Sequence, residues 1–166
     1  LQIERQAIAD LVEARRSLGL AAIDDPNPVL MFEHKLLYKT KGPVPEDAYR
    51  VPIGKAIVRR AGRDVTIVAA SVMALRAAAA AERLAQDGSD VEVVDLRSLR
   101  PIDTDTIVGS VARTRRLVVV YGGVKTMGIG AEIAARGAAH AVVRSLLAPI
   151  VRLGGAARKQ IRSPRG

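Results

Sequence analysis

From residue 64 onward the chain alternates between two kinds of segment. DVTIVAA (64–70), VEVVDL (91–96) and LVVV (117–120) are short, almost wholly apolar and rich in β-branched residues, so they read as strands. VMALRAAAAAERLAQ (72–86), TDTIVGSVART (104–114) and AEIAARGAAHAVV (131–143) read as helices. The punctuation agrees. Ser71 and Asp103 stand where a side-chain oxygen can cap free amides, Gly88 can end the first helix, and Pro101 stops the second strand unit. PIVRL (149–153) reads as a further strand. Strands without a polar face, each followed by a helix, predict a parallel sheet covered on both sides. The fold class is therefore α/β, a doubly wound, mainly parallel sheet over residues 56–155.

The upstream pattern differs. Residues 8–23 read as one helix and VLMFEH (29–34) as one buried strand. A lone helix and strand cannot enclose a core, so residues 1–34 are expected to be the remnant of a second α/β domain, with VLMF left uncovered. Residues 35–55, KLLYKTKGPVPEDAYRVPIGK, have the glycines, prolines and charges of a surface linker.

Composition narrows the chemistry. With no cysteine, disulfides, thiolate metal sites and thiol catalysis are excluded. No run has the length of a membrane span and no signal-peptide pattern opens the chain, so a cytoplasmic protein is expected. The net charge of +9 owes six charges to Arg144, Arg152, Arg158, Lys159, Arg162 and Arg165, in a stretch with no acid. The basicity is concentrated in a tail (156–166) and its approach, which disfavours a nucleic-acid surface on the folded domain.

Four groups invite a chemical reading. YGGVKTMGIGAEI (121–133) follows a strand and precedes a helix, as a phosphate-cradling turn does. However, Ile133 replaces the third glycine after Gly128 and Gly130, and Glu132 would repel an anion. Tight strand–helix packing is the favoured reading. Ser71 with His34 or His140 lacks the elbow motif of a hydrolase. Asp95, Arg97, Arg100 and Asp103 in DLRSLRPID lie at a strand end where α/β sheets bind ligands, but their spacing also suits a salt-bridged loop, which is favoured. In AIDDPNPV (22–29), aspartate and asparagine oxygens in a proline-stiffened turn suit either a hard cation or an ordinary Asx turn.

Taken in order, NPVLMFEHKLLY, VPIGKA, DVTIVAAS, VEVVDLRSLRPIDTDTI, RLVVV and GIGAEIAAR resemble the beta subunit of thiamine-diphosphate-dependent 2-oxo acid dehydrogenases, the pyruvate, branched-chain and acetoin dehydrogenase group. The resemblance covers about residues 20–155. It implies a transketolase-type C-terminal domain at 56–155, preceded by the last strand of a pyrimidine-binding domain. It further implies an alpha subunit and a second beta subunit as partners, with thiamine diphosphate bound between subunits. The activity implied is oxidative decarboxylation of a 2-oxo acid, with acyl transfer to lipoyl groups of an acyltransferase component. AIDDPN matches the family's monovalent-cation loop, implying Ala22, Asp25 and Asn27 as ligands of an ion such as potassium.

The departures carry equal weight. The segment with the family's cofactor-activating glutamate and the segment with its active-site histidine are absent, and neither Glu33 nor His34 takes either place. No residue is therefore assigned a catalytic or cofactor-binding role, and the chain alone is expected to be inactive. Leu146-Leu147-Ala148-Pro149 replaces an acidic LDAP, GGAARKQIRSPRG replaces a proline-rich continuation, and Tyr121 stands where an acid is common. Exchanging acids for bases predicts weaker docking of the basic acyltransferase domain. The alternatives are a non-catalytic dimerisation or docking domain and, behind it, a basic polyanion-binding module.

Overall fold

The computed structural model describes residues 17–38, 40, 49–124 and 126–139. Residues 17–24 form a helix, α1, and Lys35–Leu37 a single 3-10 turn. The sheet domain follows as β1 (Ile57–Arg60), β2 (Val65–Ala69), α2 (Val72–Gln86), β3 (Val91–Asp95), α3 (Thr104–Thr114), β4 (Leu117–Val120) and α4 (Ile129–Ala139).

The sheet order is β1-β3-β2-β4. β2 pairs in parallel with β3, Val65 opposite Val91, and with β4, Thr66 opposite Leu117. Side chains alternate across the strands, so each face receives its own layer. Ile67, Ala69, Val91, Val93 and Val120 pack with Ala74, Ala77 and Ala81 of α2. Val68, Val94, Leu117 and Val119 pack on the other face with Ile107 and Val111 of α3 and Ile133 of α4. The alanine row of α2 has no bulk to hold it off the strands, which suits a close helix–sheet contact. Helices on both faces make this the doubly wound arrangement expected.

Near the amino ends of the strands the α3 face carries polar side chains, all partnered. The Thr66 and Thr114 hydroxyls lie 2.7 Å apart, and Arg113 Nη2 donates to both oxygens of the buried Glu92 carboxylate at 3.0 and 2.9 Å. A carboxylate there would be costly unless ionically paired and hydrogen-bonded.

Several expectations change. β1 was not anticipated, and it pairs antiparallel with β3, with an irregularity between Val58 and Arg60. Its short IVRR run follows directly on the expected linker, at the start of the expected domain, and was not read as a strand. Ser71 occupies the N-cap position of α2, but its side chain makes no capping bond and its backbone sits at φ 55°, ψ −137°. Asp103 does cap α3, accepting from Thr106 N. Gly88 follows α2 at φ +83°, a conformation that costs a side chain but not a glycine.

VLMFEH forms no strand among the described residues. Residues 28–34, the arm after α1, make no ladder pairing among the described residues, and Leu30 and Phe32 are 83% and 84% exposed. The prolines at 26 and 28 favour extended backbone at the residues before them, but among the described residues no second strand lies alongside. PIVRL, the last residues of the third predicted helix and the basic tail lie outside the described residues.

Candidate functional site

The carboxyl ends of β2, β3 and β4, with the loops that leave them, are where a sheet of this topology binds ligands. The polar groups of the β3 loop are committed to the chain itself. Arg59 on β1 donates to Asp95 Oδ2 from Nε and Nη2, both at 2.8 Å, and both side chains are almost fully buried. The guanidinium of Arg97 donates to Lys55 O at 2.8 and 3.1 Å and reaches Ala56 O at 3.4 Å. Its partial burial lowers the Arg97 pKa, against the pull of the nearby Asp95 charge. Gly54 N donates to Ser98 Oγ at 2.9 Å and Ala56 N to Asp103 Oδ2 at 3.0 Å.

Asp103 therefore works twice, holding the segment entering β1 and capping α3. Its burial pushes its pKa up. The amide of Ala56 and the hydroxyl and amide of Thr106 outweigh that and hold the carboxyl below its usual value. Of the DLRSLRPID group, Asp95, Arg97 and Asp103 join one lock between β1 and the β3–α3 loop, while Arg100 is exposed. The ligand-binding reading of this loop gives way to the salt-bridged one.

The glycine turn is likewise filled from within. A Cβ at Gly128 would lie 2.8 Å from Tyr121 Oη, and one at Gly130 would lie 2.9 Å from Tyr121 Cζ. Real side chains do not tolerate such distances, so the glycines exist to seat the Tyr121 ring. The hydroxyl of that ring donates to Val124 O at 2.8 Å. Glu132 pairs with Arg136 at 2.6 Å, and Arg136 also reaches Thr104 Oγ1 at 2.9 Å. Among the described residues of this turn a diphosphate finds no open cradle, so they do not fit one. No buried side-chain nitrogen or oxygen among the described residues lacks a hydrogen-bond partner, so no orphan group points to a ligand.

The expected cation loop leaves α1. Ala22 lies in the last helical turn, where carbonyls lack intrahelical partners and the helix end is negative. Asp25 Oδ1 accepts from Asn27 N at 2.9 Å and from Asn27 Nδ2 at 3.0 Å, an Asx turn across Pro26. The donor set of carbonyl, carboxylate and amide oxygens has the hardness a monovalent cation prefers. Asp24 pairs instead with Arg50, whose guanidinium lowers the pKa of its carboxyl. No three His, Cys, Asp or Glu side chains converge on a metal position among the described residues. His34 Nδ1 accepts from Leu36 N at 3.2 Å, an end cap of the 3-10 turn. His140, the other histidine, lies outside the described residues, and the Ser71 hydroxyl is exposed at the head of α2.

Sequence reasoning missed the functions of Arg59, Tyr121 and Arg113. The signals were present: arginines in an apolar edge run, an aromatic beside four glycines, and Glu92 inside a strand apolar on both sides.

Residues 54–164 match the family model described as the transketolase, C-terminal domain. The chain belongs to the transketolase C-terminal domain family. The beta subunit of the pyruvate dehydrogenase E1 component from Staphylococcus epidermidis is 42% identical over 139 residues, 83% of this chain and 42% of that subunit. The corresponding subunit of Porphyra purpurea is 47% identical over 138 residues, 83% of this chain and 41% of that one. The mitochondrial beta-1 subunit of Arabidopsis thaliana is 45% identical over 148 residues, covering 87% and 40%. A solved structure described as a split gene transketolase, inactive beta4 tetramer, superposes with a TM-score of 0.51 at 32% identity, covering 58% of this chain and 33% of that one. This member of the transketolase C-terminal domain family thus spans about two fifths of the curated relatives it matches. Among its described residues no helix is long and apolar enough to cross a membrane.

Proposed function

We propose that the chain is a beta-subunit element of a thiamine-diphosphate-dependent 2-oxo acid dehydrogenase acting on pyruvate or a related 2-oxo acid. In this reading the sheet domain assembles with an alpha subunit and a second beta subunit and carries no chemistry of its own. The observation behind it is the identity of 42–47% to pyruvate dehydrogenase E1 beta subunits across most of the chain. The closed carboxyl edge of the sheet, with its charges and glycines spent internally, agrees with a scaffold role. The cofactor is held by other segments of the assembly, and the described residues take no step in the decarboxylation. Residues 1–34 belong to a second, pyrimidine-binding unit, and the basic tail weakens docking of the acyltransferase.

Within that assembly Ala22, Asp25 and Asn27 are proposed to hold a potassium ion through oxygen atoms. Potassium in place of choline at equal ionic strength would then raise the melting temperature of the assembly, and Asp25→Ala would remove the difference.

The test is co-expression of the full chain with a pyruvate dehydrogenase E1 alpha subunit. A stable complex is expected, whereas the isolated chain neither decarboxylates pyruvate nor binds thiamine diphosphate. Micromolar cofactor binding by the isolated chain in isothermal titration would overturn the division of labour. A second reading, a non-catalytic self-assembling domain, draws support from the inactive tetramer formed by the split gene relative. A stable homo-oligomer that ignores the alpha subunit would favour it.

A further inference from the structure

The loop that leaves α1 places two carboxylates side by side, and the chain treats them differently. Asp25 Oδ1 accepts from the amide and the side chain of Asn27, both neutral donors, at 2.9 and 3.0 Å. Asp24 is instead ion-paired with Arg50, 26 positions on. Arg50 is not a loose partner. Its neighbour Val51 is buried, and the Val51 amide donates to the carbonyl of the buried Ser17 at 3.4 Å. Val51 is thereby tied to the first described turn of α1, while the guanidinium of Arg50 reaches Asp24, the last residue of that helix. As a source of stability the pair is worth little, because both side chains are about half exposed. What it changes is the charge of the loop.

Asp24 lies between Ala22 and Asp25, two of the three residues proposed to hold potassium. Successive Cα atoms are about 3.8 Å apart, so an ion held by this loop feels both carboxylates. Oxygen sites for hard cations are tuned by ligand charge, and a second free carboxylate favours a divalent ion such as calcium over a monovalent one. With Arg50 on Asp24, the loop presents one carboxylate without an ion pair among the described residues, that of Asp25, beside the negative end of α1. We propose that Arg50 is a specificity-determining residue of the cation loop. By occupying the Asp24 carboxylate it holds the charge of the loop at a level that suits a monovalent ion and turns calcium away. The inference rests on the potassium reading of Ala22, Asp25 and Asn27 and adds to it the reason for the choice of ion.

The test uses the full chain, to which every group involved belongs. Potassium in place of choline at equal ionic strength raises the melting temperature of the wild type and of Asp24→Asn, whereas calcium, followed by isothermal titration, binds both weakly. Arg50→Ala frees the second carboxylate and tightens calcium binding about tenfold or more relative to the wild type. Arg50→Gln, which keeps the stem and loses the charge, gives the same result. Combining Arg50→Ala with Asp24→Asn returns calcium to the wild-type level. The circular dichroism of the variants matches the wild type, because both side chains are half exposed. Unchanged calcium affinity in both Arg50 variants, or a gain that survives Asp24→Asn, overturns the inference, while a potassium response in the wild type leaves the site standing. Loss of the potassium response in Asp24→Asn also overturns it, by making Asp24 a ligand. A wild-type chain that ignores potassium strikes the cation reading and this inference together.

Discussion

The valines of β2, β3 and β4 and the apolar residues of the arm are chemically alike, yet they meet opposite fates. Val68, Val91, Val93 and Val94 are sealed between helices on both faces of the sheet, whereas Leu30 and Phe32 face solvent. The difference lies in what surrounds each run. β2, β3 and β4 are each followed by a helix that returns over the sheet, so the domain supplies its own cover. The arm is preceded by α1, which meets it at Met31, and followed by one 3-10 turn with no buried residue. Apolarity thus states a demand for burial, and the elements joined to it decide whether the same chain meets that demand.

The comparison predicts that substitutions in the domain cost stability and that those in the arm do not. The largest effect is expected at the β1–β3 lock. Asp95→Ala leaves the Arg59 guanidinium buried beside an empty position and should cost about 3–5 kcal/mol in urea unfolding. A cost near zero would mean that β1 is not held by that pair.

Gly130→Ala comes next, because its new methyl collides with the Tyr121 ring. A loss of about 1–3 kcal/mol is expected. Tyr121→Ala in the same chain should recover part of it in a double-mutant cycle, since the collision needs both side chains.

Asp103 links the comparison to pH. Its carboxyl titrates lower in the folded chain than in the unfolded one. It therefore contributes stability that is complete above the unfolded value near pH 4 and is lost as pH falls through the folded value. Asp103→Asn should flatten the acid limb of the stability curve, followed by circular dichroism. An unaltered limb would remove Asp103 from the account.

Ser71→Gly acts in the opposite sense. Ser71 is held at φ 55°, ψ −137° without a compensating side-chain cap. Glycine should relieve about 1 kcal/mol of backbone strain and raise the melting temperature. The smallest effect belongs to the arm: Leu30→Ser should change unfolding free energy by less than about 0.5 kcal/mol. A larger loss would show that the arm is part of the domain's core.

Much of this architecture was legible in the sequence. DVTIVAA, VEVVDL and LVVV gave strands because they are apolar on both faces, and Asp103 gave a cap because its oxygen has free amides ahead of it. β1 was not legible. Four residues with two arginines carry no strand pattern until Asp95 is placed beside them, and that proximity is a tertiary fact. VLMFEH failed for the complementary reason: its pattern is that of a strand, but a strand exists only where a neighbour pairs with it. Ser71 misled because composition reports the oxygen and not the backbone angle that turns it away.

The candidate site followed the same division. The charged loop DLRSLRPID and the glycine turn were recognised as places where a ligand could sit. That both are filled depended on Arg59 reaching across from β1 and on the ring of Tyr121 folding back over its own turn. Neither contact has a local sequence signature. The Asx turn of Asp25 and Asn27, which needs only neighbours in the chain, was legible from AIDDPN alone.

The most direct measurement is native-state hydrogen exchange on the intact chain without partners. The account predicts that amides of 66–69, 91–95 and 117–120 exchange only through global unfolding, while those of 29–32 exchange at nearly unfolded rates. Comparable protection in the arm and the strands would contradict the division between a self-covered domain and an uncovered arm.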